Sequence, residues 1–407
     1  MSSIDNLRAE FPQLSQKVYN KPLVYLDNAA TSLRPRSVIA KWDEMSSKYS
    51  ANLHRAVHAT ANRATEEFEN ARVVAARFLG AKSEKEIIFT SGTTNGINLL
   101  AFSLGETGNF LTPGDEIIIG AAEHHSNLLP WQFLAERKLL KIKQLPIEEN
   151  GRLQIEKLPD LIGPRTKICC VGHISNVLGL INPISEIASI CRKNGVLTVV
   201  DGAQGIVHTQ VDVKTLGADF YAFSGHKIYA ASGTGALWGR RELLEKMPPY
   251  MGGGEMVGTV KFEKSTFAPL PYKFEAGTQN MAGVPTLVPA FKWVEEFRKY
   301  PESEGVKRYV LEELRQIGGL RLYGDTGSPE EKIPLFSFTV EGAHHEDLAL
   351  LLDKMGIALR SGQMCAEPLM DRFGVSGMLR ASFVSYNTME EAEYFIKSLR
   401  KAIKMLR

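Results

Sequence analysis

Short apolar, β-branched segments alternate with helix-like segments through the first two-thirds of the chain, and this alternation constrains the fold more than any other feature. The predicted strands are residues 23–27, 86–90, 116–120, 142–146, 167–172, 197–201, 220–223 and 235–238. The helix-like segments that separate several of them are residues 65–79, 93–104, 129–139 and 183–193. Such alternation is typical of βα units, so we predict an α/β fold with a mainly parallel central sheet.

The pattern changes after residue 247. Residues 247–279 are rich in Gly and Pro and show no clear period, which predicts a long structured loop. The elements predicted beyond it are helices at 285–299, 306–317 and 345–355, strands at 335–340 and 378–383, an irregular strip at 358–370 and a C-terminal helix. We therefore predict a large domain of residues 16–285 and a small α+β domain of residues 1–15 and 286–407.

Composition excludes several functional classes. The chain carries 48 basic and 46 acidic residues, so its charge predicts neither a nucleic-acid partner nor a membrane surface. Its four cysteines form no CxxC pair and lack zinc-site spacing, which predicts no metal centre and fits a reducing compartment. The N-terminus resembles neither a signal nor a transit peptide, and no apolar run reaches the roughly 18–20 residues of a membrane span. We expect a soluble cytoplasmic protein.

Two motifs lie at the ends of predicted buried strands. Lys227 ends the sequence Ser-Gly-His-Lys after the strand at 220–223. Partial burial would lower its amine pKa and favour a Schiff base with pyridoxal 5′-phosphate (PLP), although for this motif taken alone a surface lysine at a strand end is the commoner interpretation. Asp201 ends the strand at 197–201. A buried carboxylate there suits a protonated pyridine nitrogen, and a helix N-cap is the alternative.

Two further motifs connect strands to helices. Thr93 and Thr94 stand where the strand at 86–90 leads into the next helix, so the helix N-terminus and the hydroxyls suit an anion, or serve only as a cap. The paired His124 and His125 follow the strand at 116–120. An imidazole there suits stacking on a cofactor ring; solvent exposure is the main alternative, and a metal site is disfavoured because no third ligand has suitable spacing.

The predicted small domain contributes two candidates. Cys365 follows Arg360 in a polar, Gly-containing strip, which favours a reactive thiol near arginines over the alternative of a small buried apolar residue. The other three cysteines lie within strand or helix patterns and are predicted to be small buried apolar residues. Arg380 begins a strand and suits bidentate binding of a carboxylate, with a surface ion pair as the alternative.

Together these motifs resemble the class V aminotransferase family of fold-type I PLP enzymes. More narrowly, they resemble the group II cysteine desulfurases, the SUF-type and selenocysteine-lyase-like branch. The resemblance extends from about Tyr25 to Thr388. Its matching segments are residues 25–30, 52–55, 176–179, 224–227, 252–256 and 274–278, together with His124.

The resemblance implies a role for each cofactor contact. Lys227 would hold PLP as a Schiff base and carry the Cα proton, Asp201 would pair with the pyridine nitrogen, and His124 would stack on the ring. Gln204 would touch the ring hydroxyl oxygen. The phosphate would be held by Thr93, Thr94, Ser224 and His226, with Thr278 from the second subunit of a homodimer.

The resemblance also implies substrate contacts. Asn176 and Arg380 would bind the substrate carboxylate, with Arg360 nearby. His54 and Arg55 would line the entrance.

The reaction implied is conversion of L-cysteine to L-alanine with a persulfide left on Cys365, from which a SUF-type acceptor protein takes sulfur for iron–sulfur cluster assembly. One departure from the family bears on the substrate: Gln363 and Met364 stand where many SUF-type members carry two histidines. Selenocysteine lyase and cysteine-sulfinate desulfinase activities are therefore alternatives within the same fold. A non-catalytic scaffold is a third, which an intact Lys227 and Asp201 disfavour.

Overall fold

A computed structural model of the chain describes residues 3–54, 56–106, 109–298, 300 and 302–407. The strands are β1 (Lys17–Val18), β2 (Lys21–Pro22), β3 (Val24–Tyr25), β4 (Ile87–Thr90), β5 (Glu116–Gly120), β6 (Lys141–Leu145), β7 (Thr166–Gly172), β8 (Leu197–Asp201), β9 (Phe220–Ser224), β10 (Gly235–Gly239), β11 (Leu320–Tyr323), β12 (Leu335–Val340), β13 (Ile357–Ala358), β14 (Arg360–Gly362) and β15 (Met378–Ser382). The helices are α1 (Ser3–Ala9), α2 (Arg36–Lys48), α3 (Ala59–Phe78), α4 (Thr93–Glu106), α5 (Leu129–Lys138), α6 (Leu158–Leu161), α7 (Ile184–Lys193), α8 (Gly205–His208), α9 (Val213–Leu216), α10 (Arg241–Lys246), α11 (Leu287–Phe297), α12 (Glu302–Arg315), α13 (His345–Asp353), α14 (Glu367–Phe373) and α15 (Met389–Leu406).

Seven of the strands within the described ranges form the large sheet, in the order β4-β10-β9-β8-β7-β5-β6. Strands β9, β8, β7, β5 and β6 are parallel to one another, and β10 runs antiparallel to both of its neighbours, β4 and β9. The predicted α/β fold with a mainly parallel central sheet is therefore confirmed.

The large sheet is covered on both faces, which explains why its strands read as continuous apolar runs. Successive residues of one strand point to opposite faces. Accordingly Val199 of β8 belongs to the core cluster that contains residues of α4 and α5, whereas Val200 belongs to the cluster that contains residues of α3, α7 and α11. The large sheet is thus buried, and the packing of helices on both faces fixes the positions of its strand ends.

The small sheet has the order β11-β12-β15-β14 and is antiparallel. Helices α12, α13 and α15 pack on it through a separate core that includes Val310, Phe336, Leu348 and Phe395. The Thr388 hydroxyl accepts the Glu391 N–H at the start of α15 and so begins that helix with a capping box. A C-terminal α+β unit is thus present, while the exact division into residues 16–285 and the remainder stays a prediction.

Three predictions about local structure were wrong. The segment 23–27 does not join the large sheet: β3 pairs in parallel with β13, and the Leu26 N–H donates to the Ala358 carbonyl at 2.8 Å. The helix predicted from residue 65 begins at Ala59, where the His58 ring accepts the Ala61 N–H. The strip at 358–370, predicted to be irregular, contains β14 and the first turn of α14.

The segment 247–279 is a long loop, as predicted, with one 3₁₀ turn at Tyr272–Phe274 as its regular element among the described residues. A buried ion pair anchors it. Arg72 of α3 donates to both Glu275 oxygens, at 2.6 and 2.9 Å, and the Phe89 N–H of β4 donates to the same carboxylate at 2.7 Å. The loop is therefore fixed to the edge of the large sheet. Among the described helices, none has the length and apolarity needed to cross a bilayer.

Candidate functional site

A cavity of about 400 Å³ opens at the carboxyl ends of β7, β8 and β9. Ligands of open parallel sheets bind at this edge, because loops and helix N-termini converge there. The large domain contributes the floor of the cavity. The small domain contributes Arg360, Cys365 and Arg380 to its wall, so both units build one site.

Lys227 lies on the short 3₁₀ turn that follows β9. Its side chain lines the cavity, and among the described residues it has neither a hydrogen-bond nor an ion-pair partner. Burial lowers the pKa of the amine from 10.5 to about 8, while the negative charge of Asp201 opposes that shift. The neutral, nucleophilic form of this lysine is thus accessible near physiological pH.

Asp201 ends β8 and lines the same cavity. One of its oxygens accepts the Ala203 N–H at 2.9 Å. Burial raises the pKa of the carboxyl, while that N–H and the charge on Lys227 lower it. Next to it, Gln204 is held by a 2.8 Å hydrogen bond from Nε2 to the Ala29 carbonyl. A buried carboxylate with one unshared oxygen is suited to a cationic ring nitrogen.

The N-terminus of α4 also lines the cavity. The Ser224 hydroxyl accepts the Thr93 N–H at 2.8 Å and contacts the Thr93 hydroxyl at 2.8 Å. The Thr94 hydroxyl lies 2.6 Å from that of Ser126. No partner among the described residues accepts the N–H groups of Thr94 and Asn95. Unpaired N–H groups at the start of a 14-residue helix form an anion cradle.

Burial lowers the pKa of four imidazoles from 6.5 to about 4, and two of them, those of His124 and His226, line the cavity. We call these four the neutral histidines: His124, His173, His208 and His226. The His124 ring is oriented by a 3.0 Å hydrogen bond from the Ser126 N–H to Nδ1. His226 Nδ1 lies 3.2 Å from the Thr31 hydroxyl. An uncharged His124 ring at the cavity wall can stack on a flat cofactor without repelling a cationic one.

The part of the cavity wall that contains Arg360 and Arg380 is cationic. Arg380 donates to the Asn176 carbonyl at 2.7 Å and to Asp27 at 3.4 Å, while Arg360 pairs with the other Asp27 oxygen at 2.8 Å. The buried Nε of Arg380 has no partner. Burial lowers the pKa of Arg380 to about 10. Two guanidinium groups around one carboxylate leave donors for a second carboxylate, that of a substrate.

Cys365 is exposed and lines the cavity, whereas Cys169, Cys170 and Cys191 are buried, as predicted. Met364 and Cys365 have φ angles of 52° and 56°. This left-handed conformation costs about 1–3 kcal/mol at each non-glycine residue, so contacts from the surroundings must hold it. The thiol therefore sits on a strained loop at the rim of the cavity.

The structure does not bring every predicted residue to the cavity. His54 does not line it; its Nε2 lies 2.9 Å from Glu69, and its ring packs against Tyr272. Thr278 also does not line the cavity of its own chain. Arg55 lies outside the described residues. The described residues contain no cluster of His, Cys, Asp and Glu that could hold a metal ion.

Two carboxylates received no role from the sequence: Glu123, which lines the cavity, and Asp27, which contacts the lining arginines. Asp27 bridges the two arginines, and only its position within the matching segment 25–30 hinted at a function. Glu123 accepts the Gly172 N–H at 2.8 Å and the Asn127 amide at 2.6 Å. Burial raises the pKa of Glu123 to about 8. In the sequence, the indication of a role for Glu123 was its position directly before His124.

The donor set of the cavity fits PLP. An unpartnered lysine suits the aldehyde of the cofactor, the Asp201 carboxylate suits its ring nitrogen, and the unpaired N–H groups at the start of α4 suit its phosphate. No other part of PLP requires a charged partner. The arginine wall is left for the substrate.

Comparisons with known proteins point to one family. The model of the family described as "Aminotransferase class-V" matches residues 24–395. The chain is 44% identical to the "Probable cysteine desulfurase" of Vibrio cholerae serotype O1 over 100% of both chains. It is 41% identical to the "Cysteine desulfurase" of Wigglesworthia glossinidia brevipalpis, covering 99% of this chain and 98% of the relative.

Solved structures give a similar result. The cysteine desulfurase CsdA (S-sulfonic acid) from Escherichia coli matches with a TM-score of 0.90 at 38% identity and covers 100% of both chains. The apo structure of a cysteine desulfurase from Thermococcus onnurineus NA1 matches with a TM-score of 0.90 at 35% identity, covering 97% of this chain and 99% of that one.

Proposed function

The chain belongs to the aminotransferase class-V family, and from this premise we infer that it is a PLP-dependent cysteine desulfurase. It converts L-cysteine to L-alanine and keeps the sulfur as a persulfide on Cys365. The observation that carries this proposal is the position of an exposed thiol on the wall of the cavity that also contains Lys227 and Asp201.

One group of residues is assigned to the cofactor and another to the substrate. We propose that Lys227 holds PLP covalently, Asp201 pairs with its ring nitrogen, Gln204 contacts its ring hydroxyl oxygen and His124 stacks on the ring. The phosphate is assigned to Thr93, Thr94, Ser224 and His226, with Thr278 of a second subunit. PLP supplies an electron sink that stabilises negative charge at the substrate Cα.

Proton transfer at Cα is assigned to Lys227. An amine with a pKa of about 8 is a base when neutral and an acid when protonated, and both forms are populated near neutral pH. Lys227 can therefore remove the Cα proton and later return one. Asp201 stays close enough to stabilise the protonated amine, because it raises the lysine pKa.

Substrate orientation is assigned to the arginine wall. Arg380 and Asn176 bind the substrate carboxylate, and Arg360 lies beside them through its pair with Asp27. Binding of the carboxylate fixes the side chain of the substrate cysteine relative to Cys365. The Cys365 thiolate attacks the substrate sulfur, a sulfur–sulfur bond forms, and the carbon–sulfur bond of the substrate breaks with its electron pair remaining on carbon. His54 and Arg55 stay proposed entrance residues.

The test is incubation of the PLP-loaded protein with L-cysteine. Alanine should accumulate, and the mass of the Cys365 peptide should rise by one sulfur atom. Cys365→Ala should lose both products while keeping the Schiff-base absorbance, whereas the buried-cysteine control Cys191→Ala should keep both. Unchanged sulfide release by Cys365→Ala would show that Cys365 is not the acceptor.

A second candidate function follows from Gln363 and Met364, which place no imidazole directly before Cys365. Selenocysteine and cysteine sulfinate have better leaving groups and depend less on that thiol. Comparing alanine release from the three substrates, in wild type and Cys365→Ala, distinguishes these activities. Rates that are equal in both proteins, with cysteine the slowest substrate, would favour the lyase or desulfinase.

The proposal extends to partners and location. We propose a cytoplasmic homodimer that passes sulfur to a SUF-type acceptor for iron–sulfur cluster assembly. The exposed thiol is accessible to an acceptor, and the free cysteines fit a reducing compartment. Val260, Phe262 and Phe267 are exposed on the long loop, which fits burial in a subunit interface. Light scattering and sulfur transfer to a purified acceptor test these points.

A further inference from the structure

His125 is not among the residues that line the cavity, and the proposed reaction does not use it. We propose that His125 is a positioning residue, which fixes the Cys365 loop of the small domain to the large domain and so sets the rate of sulfur transfer to Cys365. This inference rests on the proposed function for its consequence, but its structural part can be measured without substrate.

His125 contacts the loop at two points, at Cys365 itself and at Glu367. Its backbone N–H donates to the Cys365 carbonyl at 2.8 Å. Its ring Nε2 accepts the Glu367 N–H at 3.3 Å, at the first residue of α14. One large-domain residue therefore binds the loop through two independent atoms, one at the thiol-bearing residue itself and one two residues later.

A third contact completes the attachment. The Asn176 side-chain amide donates to the Met364 carbonyl at 2.9 Å. Three attachment points, at residues 364, 365 and 367, thus come from two large-domain segments. Asn176 also lines the cavity and accepts from Arg380, so it serves the substrate side as well. The His125 ring is the attachment that has no other assigned role.

The loop needs this attachment because its own conformation is unfavourable. Met364 and Cys365 are both left-handed, and neither is glycine. Without external contacts such residues relax to right-handed or extended conformations, which would redirect the thiol. The side chain of Cys365 is exposed, whereas its neighbours Met364 and Ala366 are buried in the main core cluster. The hydrogen bonds from the large domain fix the backbone between these two buried residues.

The hydrogen bond from the Glu367 N–H requires a defined chemical form of the ring. An imidazole accepts a hydrogen bond at Nε2 only when it is neutral, with its proton on Nδ1. The Glu367 carboxylate lies 3.3 Å from the same Nε2 and accepts from it when that nitrogen carries a proton, so either form of the ring attaches His125 to residue 367. Glutamine is the conservative replacement, because its terminal amide oxygen has a reach similar to Nε2, whereas asparagine is one methylene shorter.

The experiment compares the holoenzyme of wild type with His125→Ala, His125→Gln and His125→Asn. Three quantities are measured: the rate of Cys365 persulfide formation at saturating L-cysteine, the affinity for L-alanine from the cofactor absorbance, and the hydrogen exchange of the Glu367 amide. Loss of one hydrogen bond predicts a persulfide rate about five- to tenfold lower for His125→Ala and His125→Asn. L-Alanine affinity should not change, and His125→Gln should recover most of the rate.

The outcomes separate this inference from its alternatives. Faster exchange at Glu367 in His125→Ala and His125→Asn, but not in His125→Gln, supports the attachment even if wild type forms no persulfide, in which case the proposed function alone fails. A normal persulfide rate in His125→Ala overturns the positioning role. Equal losses of persulfide rate and L-alanine affinity, or no rescue by glutamine, would assign His125 a general structural role instead.

Discussion

The pH dependence of PLP capture by the apoenzyme is the most direct test of the environment of Lys227. Only a neutral amine attacks an aldehyde. Burial in the cavity lowers the pKa of Lys227 from 10.5 to about 8, Asp201 raises it and Arg380 lowers it. The capture rate should therefore rise with pH up to about 8 and then level off.

The size of the effect follows from these values. At pH 7, a pKa of about 8 leaves about one lysine in ten neutral, against about one in three thousand for a lysine with a pKa of 10.5. Lys227 thus has about 300 times more reactive amine than an ordinary lysine at this pH. Asp201→Asn removes the negative charge that raises the lysine pKa, so it should move the midpoint to lower pH.

The assay mixes apoenzyme with PLP in stopped flow and follows the Schiff-base absorbance between pH 6 and 10. Nα-acetyl-lysine is the control amine and should show no plateau below pH 10. A capture rate that keeps rising to pH 10 with the control would refute the low pKa. A midpoint that moves to higher pH in Asp201→Asn would refute the assigned role of that carboxylate.

Three further predictions concern substrate binding and stability. Arg380→Met should raise the KM for L-cysteine by about 10- to 100-fold in steady-state kinetics, since a hydrogen bond to a charged group contributes about 1.5–3 kcal/mol; an unchanged KM would remove Arg380 from the carboxylate site. Glu275→Ala leaves the buried Arg72 with Glu69 as its remaining carboxylate partner and the Phe89 N–H without an acceptor, and should destabilise the fold by about 3 kcal/mol in urea denaturation, whereas the exposed-pair control Glu245→Ala, which frees Arg241, should have little effect. The neutral histidines have a pKa of about 4 in the folded protein, against an ordinary value of 6.5, so the unfolded chain binds more protons between these values. Calorimetry should show stability that is full above about pH 6.5 and falls towards pH 4; stability that is flat over this range would contradict the assignment.

The large sheet was predictable because local pattern and burial agree there. The segments 116–120 and 197–201 were predicted with the observed bounds of β5 and β8, since strands covered on both faces are continuous apolar runs. The place of β3 was not predictable in this way. Its partner β13 lies more than 300 residues later, and a two-residue pairing held by backbone hydrogen bonds leaves no side-chain pattern.

Some residues of the candidate site could likewise be predicted from the sequence, and others could not. Lys227 and Asp201 follow strands of one parallel sheet, so strand order alone brings them to one edge, and both line the cavity. Asp27 was missed because its two arginine partners belong to the small domain. His54 was expected at the entrance, but its pair with Glu69 depends on the packing of α3, which the sequence does not display.

The pairing of β3 with β13 has a consequence for synthesis on the ribosome. Every proposed PLP contact from the same chain lies between residues 93 and 227, whereas Arg360, Cys365 and Arg380 are translated last. Domains fold from the N-terminus as the chain emerges. The proposed PLP contacts are therefore complete in a nascent chain well before β13, the partner of β3, is translated more than 300 residues after β3. The reactive thiol is added late to the site, so a nascent chain that ends before Cys365 has these contacts but no sulfur acceptor.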